Sequence, residues 1–130
     1  MSVHDKFRTP LKRARGLGSA KDGTHHFIVQ RITAVALVFL SIYVIGLVIS
    51  LIGGDYATVR AAVANPVNGV LLIAFLIATF WHAQLGLQVI IEDYVHTPWV
   101  AVSSQLAIIF VCVLAAFASV LAVIRIALGG

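Results

Sequence analysis

Charge is what this sequence has least of. Only 11% of its 130 residues are charged, against 61% that are hydrophobic, whereas a soluble globular domain carries about a quarter charged residues. That scarcity excludes an ordinary water-soluble domain, because the apolar excess must face something other than water. Cysteine is nearly absent too. Cys112 stands alone, which rules out an iron–sulfur cluster held by this chain, since such clusters take several thiolates. A lone thiol inside an apolar run is by default a small buried hydrophobe. There is no Gly-x-Gly-x-x-Gly dinucleotide fingerprint and no phosphate-binding loop, so any redox chemistry needs cofactors held together with other chains.

The apolar residues that remain are gathered into three long runs, at about 27–52, 67–91 and 100–128. Each is long enough to cross a hydrocarbon core of about 30 Å as a helix. Barrel strands alternate apolar and polar positions, and these unbroken runs do not, so every backbone amide must be paired within its own helix. The expected fold is all-α: a three-helix membrane anchor domain over residues 27–130, preceded by a basic segment at 1–26. Gly53-Gly54-Asp55 closes the first run, Asn65-Pro66 opens the second, and His96-Thr97-Pro98-Trp99 parts the second from the third. Both connections read as short loops, and 16–23 as a flexible entry to the first span.

Seven of the nine Lys and Arg residues, Lys6, Arg8, Lys12, Arg13, Arg15, Lys21 and Arg31, precede or begin the first span. The positive-inside tendency therefore puts the N-terminus in the cytoplasm and returns the loop with Glu92, Asp93, Tyr94 and His96 to that side. The basic segment serves as a topology signal drawn to anionic lipid, and also offers a docking surface for a soluble partner. The first apolar run is too long for a cleaved secretory signal. Pro10, Gly16 and Gly18 break up an amphipathic presequence, which favours a bacterial inner membrane over a mitochondrial one. A nucleic-acid partner is not expected.

The end of the second run carries the chemistry. His82 sits well inside an apolar helix, where an ionisable residue is costly and usually faces a bundle interior. At about 100° per residue, Ala78, His82, Gly86, Val89 and Asp93 share one stripe, with small residues a turn to either side of the imidazole. Two readings fit. His82 is an axial ligand to haem iron, with the macrocycle lying over Gly86; or it makes an interhelical hydrogen bond beside an ordinary close-packing glycine. Asp93 and Tyr94 follow about 16–18 Å further along the helix, at the interface. There Tyr94 is either an aromatic-belt residue or a phenol that hydrogen-bonds a quinone carbonyl, with a carboxylate beside it for proton delivery. Glu92 and Asp93 lie at a helix C-terminus, where the dipole disfavours them, a mismatch that points to a partner or a task. At the first span, Arg31 either snorkels to the headgroups or meets a buried anion such as a haem propionate. His25 and His26 precede it and are interfacial by position.

The series His25, Arg31-Ile32-Thr33-Ala34, His82-x-x-x-Gly86 and Asp93-Tyr94 resembles the D-type hydrophobic membrane anchor of succinate dehydrogenase over nearly the whole chain. The resemblance implies that His82 is this chain's axial ligand to a haem b shared with a sister, C-type cytochrome b anchor. It implies that Tyr94 hydrogen-bonds ubiquinone, with Asp93 in the site's vicinity, and that Arg31 and His25 lie near the haem propionates. His26 departs from relatives that carry Asp there. Succinate would be oxidised on a flavoprotein subunit and electrons passed through an iron–sulfur subunit, so this chain would be a non-catalytic anchor subunit of the enzyme. Two rivals stand beside this reading: the anchor of a fumarate reductase or other b-type cytochrome complex, and a non-redox membrane scaffold.

Overall fold

The computed structural model describes residues 21–129. Residues 1–20, the greater part of the expected basic segment 1–26 and including the run from Lys6 to Arg15, lie outside the described residues. Four helices follow in order: α1 (Lys21–Ser50), α2 (Tyr56–Ala64), α3 (Pro66–Tyr94) and α4 (Pro98–Ala127). Three of them, Gly23–Ser50, Pro66–Tyr94 and Pro98–Ala127, are long and apolar enough to cross a membrane. The fold is all-α, as the apolar runs dictate.

Each boundary has a local cause. α1 stops where Gly53 takes a left-handed conformation, φ 82°, which glycine adopts without the Cβ penalty. Gly54 follows with its amide on the Leu51 carbonyl at 3.0 Å. A side chain on Gly54 would press to 3.1 Å from that carbonyl oxygen, so the bend needs both glycines. Asn65 serves two helices at once. Its amide closes α2 on Ala61 and Ala62, while its side chain accepts from the Val67 and Asn68 amides of α3, with Pro66 at the first helical position. Thr97 and Pro98 start α4 in the same manner, although the Thr97 side chain makes no capping bond.

The connection after α1 differs from the short loop expected, and so does the entry to α1. Residues 56–64 form a nine-residue helix, and α1 already begins at Lys21, which takes Gly23 into the helix. Alanine at positions 57, 61, 62 and 64 is the strongest helix former, and Asp55 supplies the missing cap: its carboxylate accepts from the Thr58 amide at 2.8 Å and the Thr58 hydroxyl at 2.6 Å.

The helices do not close into a bundle. α3 packs against both α1 and α4, α2 lies across α3 and α4, and α1 and α4 make no close approach among the described residues. α3 is therefore the central helix, and its buried positions are Gly69, Ala78, Leu85 and Ile91. Small residues at such contacts let backbones approach where lipid leaves no hydrophobic drive between helices. Polar contacts supply the rest. The Tyr43 hydroxyl of α1 donates to Asn68 Oδ1 on α3, and Asn68 Nδ2 donates to the Ala62 carbonyl of α2 at 2.8 Å. One amide thus ties three helices together.

Two consequences are measurable. Asn68→Leu removes both bonds and should cost about 1–2 kcal/mol in a denaturant titration in mixed micelles; an unchanged midpoint would show that the clamp carries no stability. The hydrogen bonds from the Thr58 hydroxyl and then its amide hold the Asp55 carboxyl below its ordinary 3.8. A depressed carboxylate stabilises above its unfolded pKa, and that contribution is lost as pH falls through the folded value. Protection of the α2 amides against hydrogen exchange should therefore weaken below pH 3.8 in the wild type, and be weak throughout in Asp55→Ala.

Candidate functional site

His82 lies on α3 in the half that faces α1. Its Nδ1 stands 3.0 Å from Oγ1 of Thr33 on α1, and Thr33 is the buried polar residue of the described core, 7% exposed. The Thr33 hydroxyl also reaches two carbonyls of its own helix, Val29 at 2.9 Å and Gln30 at 3.0 Å. Carbonyls can only accept, so a hydroxyl proton directed to them leaves an oxygen lone pair for the imidazole. In that arrangement His82 donates from Nδ1–H, the roles across this contact being set by its tautomer. Its Nε2, with no hydrogen-bond partner among the described residues, carries a free lone pair in the neutral ring.

One turn on, Gly86 shares the stripe of His82. A Cβ there would meet only the Gln30 side chain, at 3.9 Å. That is ordinary contact, so packing within this chain does not require glycine at position 86. The interhelical hydrogen bond weighed for His82 is thus present, but it uses Nδ1 and leaves Nε2 without a partner among the described residues. The two readings of His82 concern different ring nitrogens and coexist. The donor set suits a haem iron ligated by neutral imidazole, and the space over Gly86 suits a flat ring.

The residues named near the propionates do not converge on His82 within this chain. Arg31 lies two residues from Thr33, which on a helix is about 160° around the axis, and its guanidinium sits over the Phe27 ring at 5.0 Å, a cation–π contact. His25 is exposed. With His26, Val29, Trp81 and Leu85 it lines a cleft of about 310 Å³ between α1 and α3. Within this region Nε2 of His26 and Oε1 of Gln30 are buried and make no hydrogen bond. Buried polar atoms are rarely left so.

Asp93 and Tyr94 end α3, Asp93 exposed and Tyr94 78% exposed, about 18 Å from His82 along the helix. Glu92 beside them is not free: its Oε1 accepts from Gln88 Nε2 at 2.9 Å, and Gln88 Oε1 accepts from Gln84 Nε2 at 3.3 Å. This amide ladder runs along α3 and eases the clash of a carboxylate with the helix C-terminus. Among the described residues no group of three or more His, Cys, Asp or Glu side chains could hold a metal ion between them. Cys112, expected buried, is buried on α4. Sequence reasoning passed over Thr33, Gln30 and the glutamine ladder. The signal was present in each: a polar residue deep in an apolar helix on the face turned to a neighbour.

Known proteins agree with this layout. Residues 5–122 match the model of the succinate dehydrogenase/fumarate reductase transmembrane subunit. The chain is similar to the succinate dehydrogenase hydrophobic membrane anchor subunit of Rickettsia bellii, 37% identical over 89 residues that cover 68% of this chain and 71% of that one. It is likewise similar to the same subunit of Rickettsia conorii, 33% over 94 residues (72% and 74%), and of Paracoccus denitrificans, 33% over 89 residues (68% and 69%). No solved structure matches the chain.

Proposed function

Because the chain belongs to the succinate dehydrogenase/fumarate reductase transmembrane subunit family, we propose that it anchors a succinate:ubiquinone oxidoreductase in a bacterial inner membrane, helps hold haem b and forms part of the ubiquinone site. The observation that carries this is the division of labour at His82, where Thr33 occupies Nδ1 and Nε2 is left as a ligand atom beside Gly86. A sister C-type cytochrome b anchor would supply a second histidine to the haem. When bound, the haem would supply a one-electron store.

The other end of α3 serves the quinone. Tyr94 is exposed at the helix terminus, and in this reading its phenol donates to a quinone carbonyl and favours the charge that develops there on reduction. Ubiquinone takes two electrons and two protons to become ubiquinol. The protons come from water through the exposed Asp93, and the electrons arrive from an iron–sulfur subunit docked on the cytoplasmic side, fed in turn by a flavoprotein. That docking side follows from a cytoplasmic N-terminus. This chain then takes no part in succinate oxidation. In this reading Arg31 and His25 would meet the haem propionates, His25 from the cleft between α1 and α3. The anchor of a fumarate reductase shares this architecture, and the direction of electron flow separates the two.

The complex purified through a tag on this chain should show a b-type reduced-minus-oxidised spectrum that His82→Ala loses or strongly perturbs. Intact wild-type complex with neither haem nor succinate-dependent quinone reduction would overturn the proposal. Tyr94→Phe should lower quinone reduction about tenfold, the worth of one hydrogen bond of about 1.4 kcal/mol, while succinate oxidation by an artificial acceptor stays at the wild-type rate. Undiminished quinone reduction in Tyr94→Phe would remove Tyr94 from the site.

A further inference from the structure

The buried hydroxyl of Thr33 lies within hydrogen-bond distance of two backbone carbonyls on α1 and of His82 Nδ1 on α3. We infer that Thr33 is a positioning residue, which locks His82 as the Nδ1–H tautomer and presents Nε2 as the ligating atom. This rests on the reading of His82 as an axial ligand.

The physical case is one of counting protons. A neutral imidazole protonated on Nε2 would need the Thr33 proton at Nδ1. That would withdraw it from Val29 and Gln30 and turn hydroxyl lone pairs toward carbonyl oxygens 2.9 and 3.0 Å away. Thr33 is 7% exposed, so bulk water is not at hand to relieve that repulsion between oxygens, which a low-dielectric interior screens little. The other tautomer keeps the hydroxyl proton on the carbonyls and gives Nδ1–H an acceptor. The second partner on the imidazole also fixes the ring plane, since a turned ring would lose the bond.

Two hydroxyls elsewhere show what is particular to Thr33. Thr79 Oγ1 donates to the Phe75 carbonyl at 2.7 Å, and Ser119 Oγ donates to the Ala115 carbonyl at 2.7 Å. Both back-bond to their own helix, as polar residues in membrane helices do, and neither reaches a titratable side chain. Thr33 makes the same back-bond and then accepts across the helix gap. Partners of this kind, on the far nitrogen of a ligating histidine, raise ligand basicity and are worth about 10–100-fold in metal affinity.

The test uses the whole complex purified through a tag on this chain, with three readouts besides turnover: haem b per complex, the rate of haem transfer to an apoglobin scavenger, and the haem midpoint potential. Thr33→Val keeps the branched shape without the hydroxyl. It should lose haem about 10–100-fold faster and shift the potential upward, because a less basic ligand stabilises oxidised iron less. Thr33→Ser restores the hydroxyl and should stay near wild type, and Thr79→Val, which breaks only a back-bond, should be unchanged. Should Thr33→Val assemble poorly, Thr33→Ala against Thr33→Ser reads the same hydroxyl. Wild-type haem retention and potential in Thr33→Val, or equal impairment in Thr33→Ser, would overturn the positioning role while loss of haem in His82→Ala left the ligand reading standing. Haem unaffected in His82→Ala would instead remove the ligand reading, and the role of Thr33 with it.

Discussion

Inside a bilayer there is no water to satisfy a polar group, and that one constraint organises the whole chain. Each backbone amide must find its carbonyl within its own helix, so three long apolar runs become three long helices and the irregular backbone is confined to their ends. The same constraint governs side chains. Tyr43, Asn68, Thr33, His82 and the pair Gln84 and Gln88 are polar groups in apolar helices, and each is hydrogen-bonded within its helix or across a helix gap. Polar contacts thus mark where the helices meet.

The arrangement leaves little enclosed. α3 stands between α1 and α4, and large side chains such as Phe39 and Phe117 are 70% and 69% exposed. Lipid covers such surface without cost, so exposure here is no sign of instability. The buried but unpaired atoms of His26 and Gln30 are of another kind, because lipid tails offer them nothing. They are polar groups that this chain encloses and leaves unsatisfied, a feature invisible in hydropathy alone.

Much of this was legible from the residues in order. Run length and the absence of alternation fixed the class, and Gly53-Gly54-Asp55, Asn65-Pro66 and Thr97-Pro98 marked the breaks, since these residues act on their immediate neighbours. α2 was missed because a nine-residue helix has no long apolar signature, although Asp55, Thr58 and the alanines carried a local one. His82 stood out by its cost in an apolar run. The partner of His82 did not, because Thr33 is 49 positions away and only packing decides which of two ring nitrogens it meets. Arg31 and His25 were grouped with His82 by resemblance, yet Arg31 projects from the opposite side of α1 to Thr33, so any convergence happens around a shared neighbour and not within this chain.

The double role of the Thr33 hydroxyl bears on how the chain enters its membrane. α1 leaves the ribosome before α3, and the His82 imidazole is not yet present to answer a polar group in its middle. By donating to Val29 and Gln30 of its own helix, Thr33 brings its proton already placed, and α1 can partition into lipid as a self-contained rod. What stays unused is a lone pair, cheaper to carry through hydrocarbon than an unpaired donor. When α3 arrives, His82 finds an acceptor waiting, and the first span acts as the template against which the second sets its rotation.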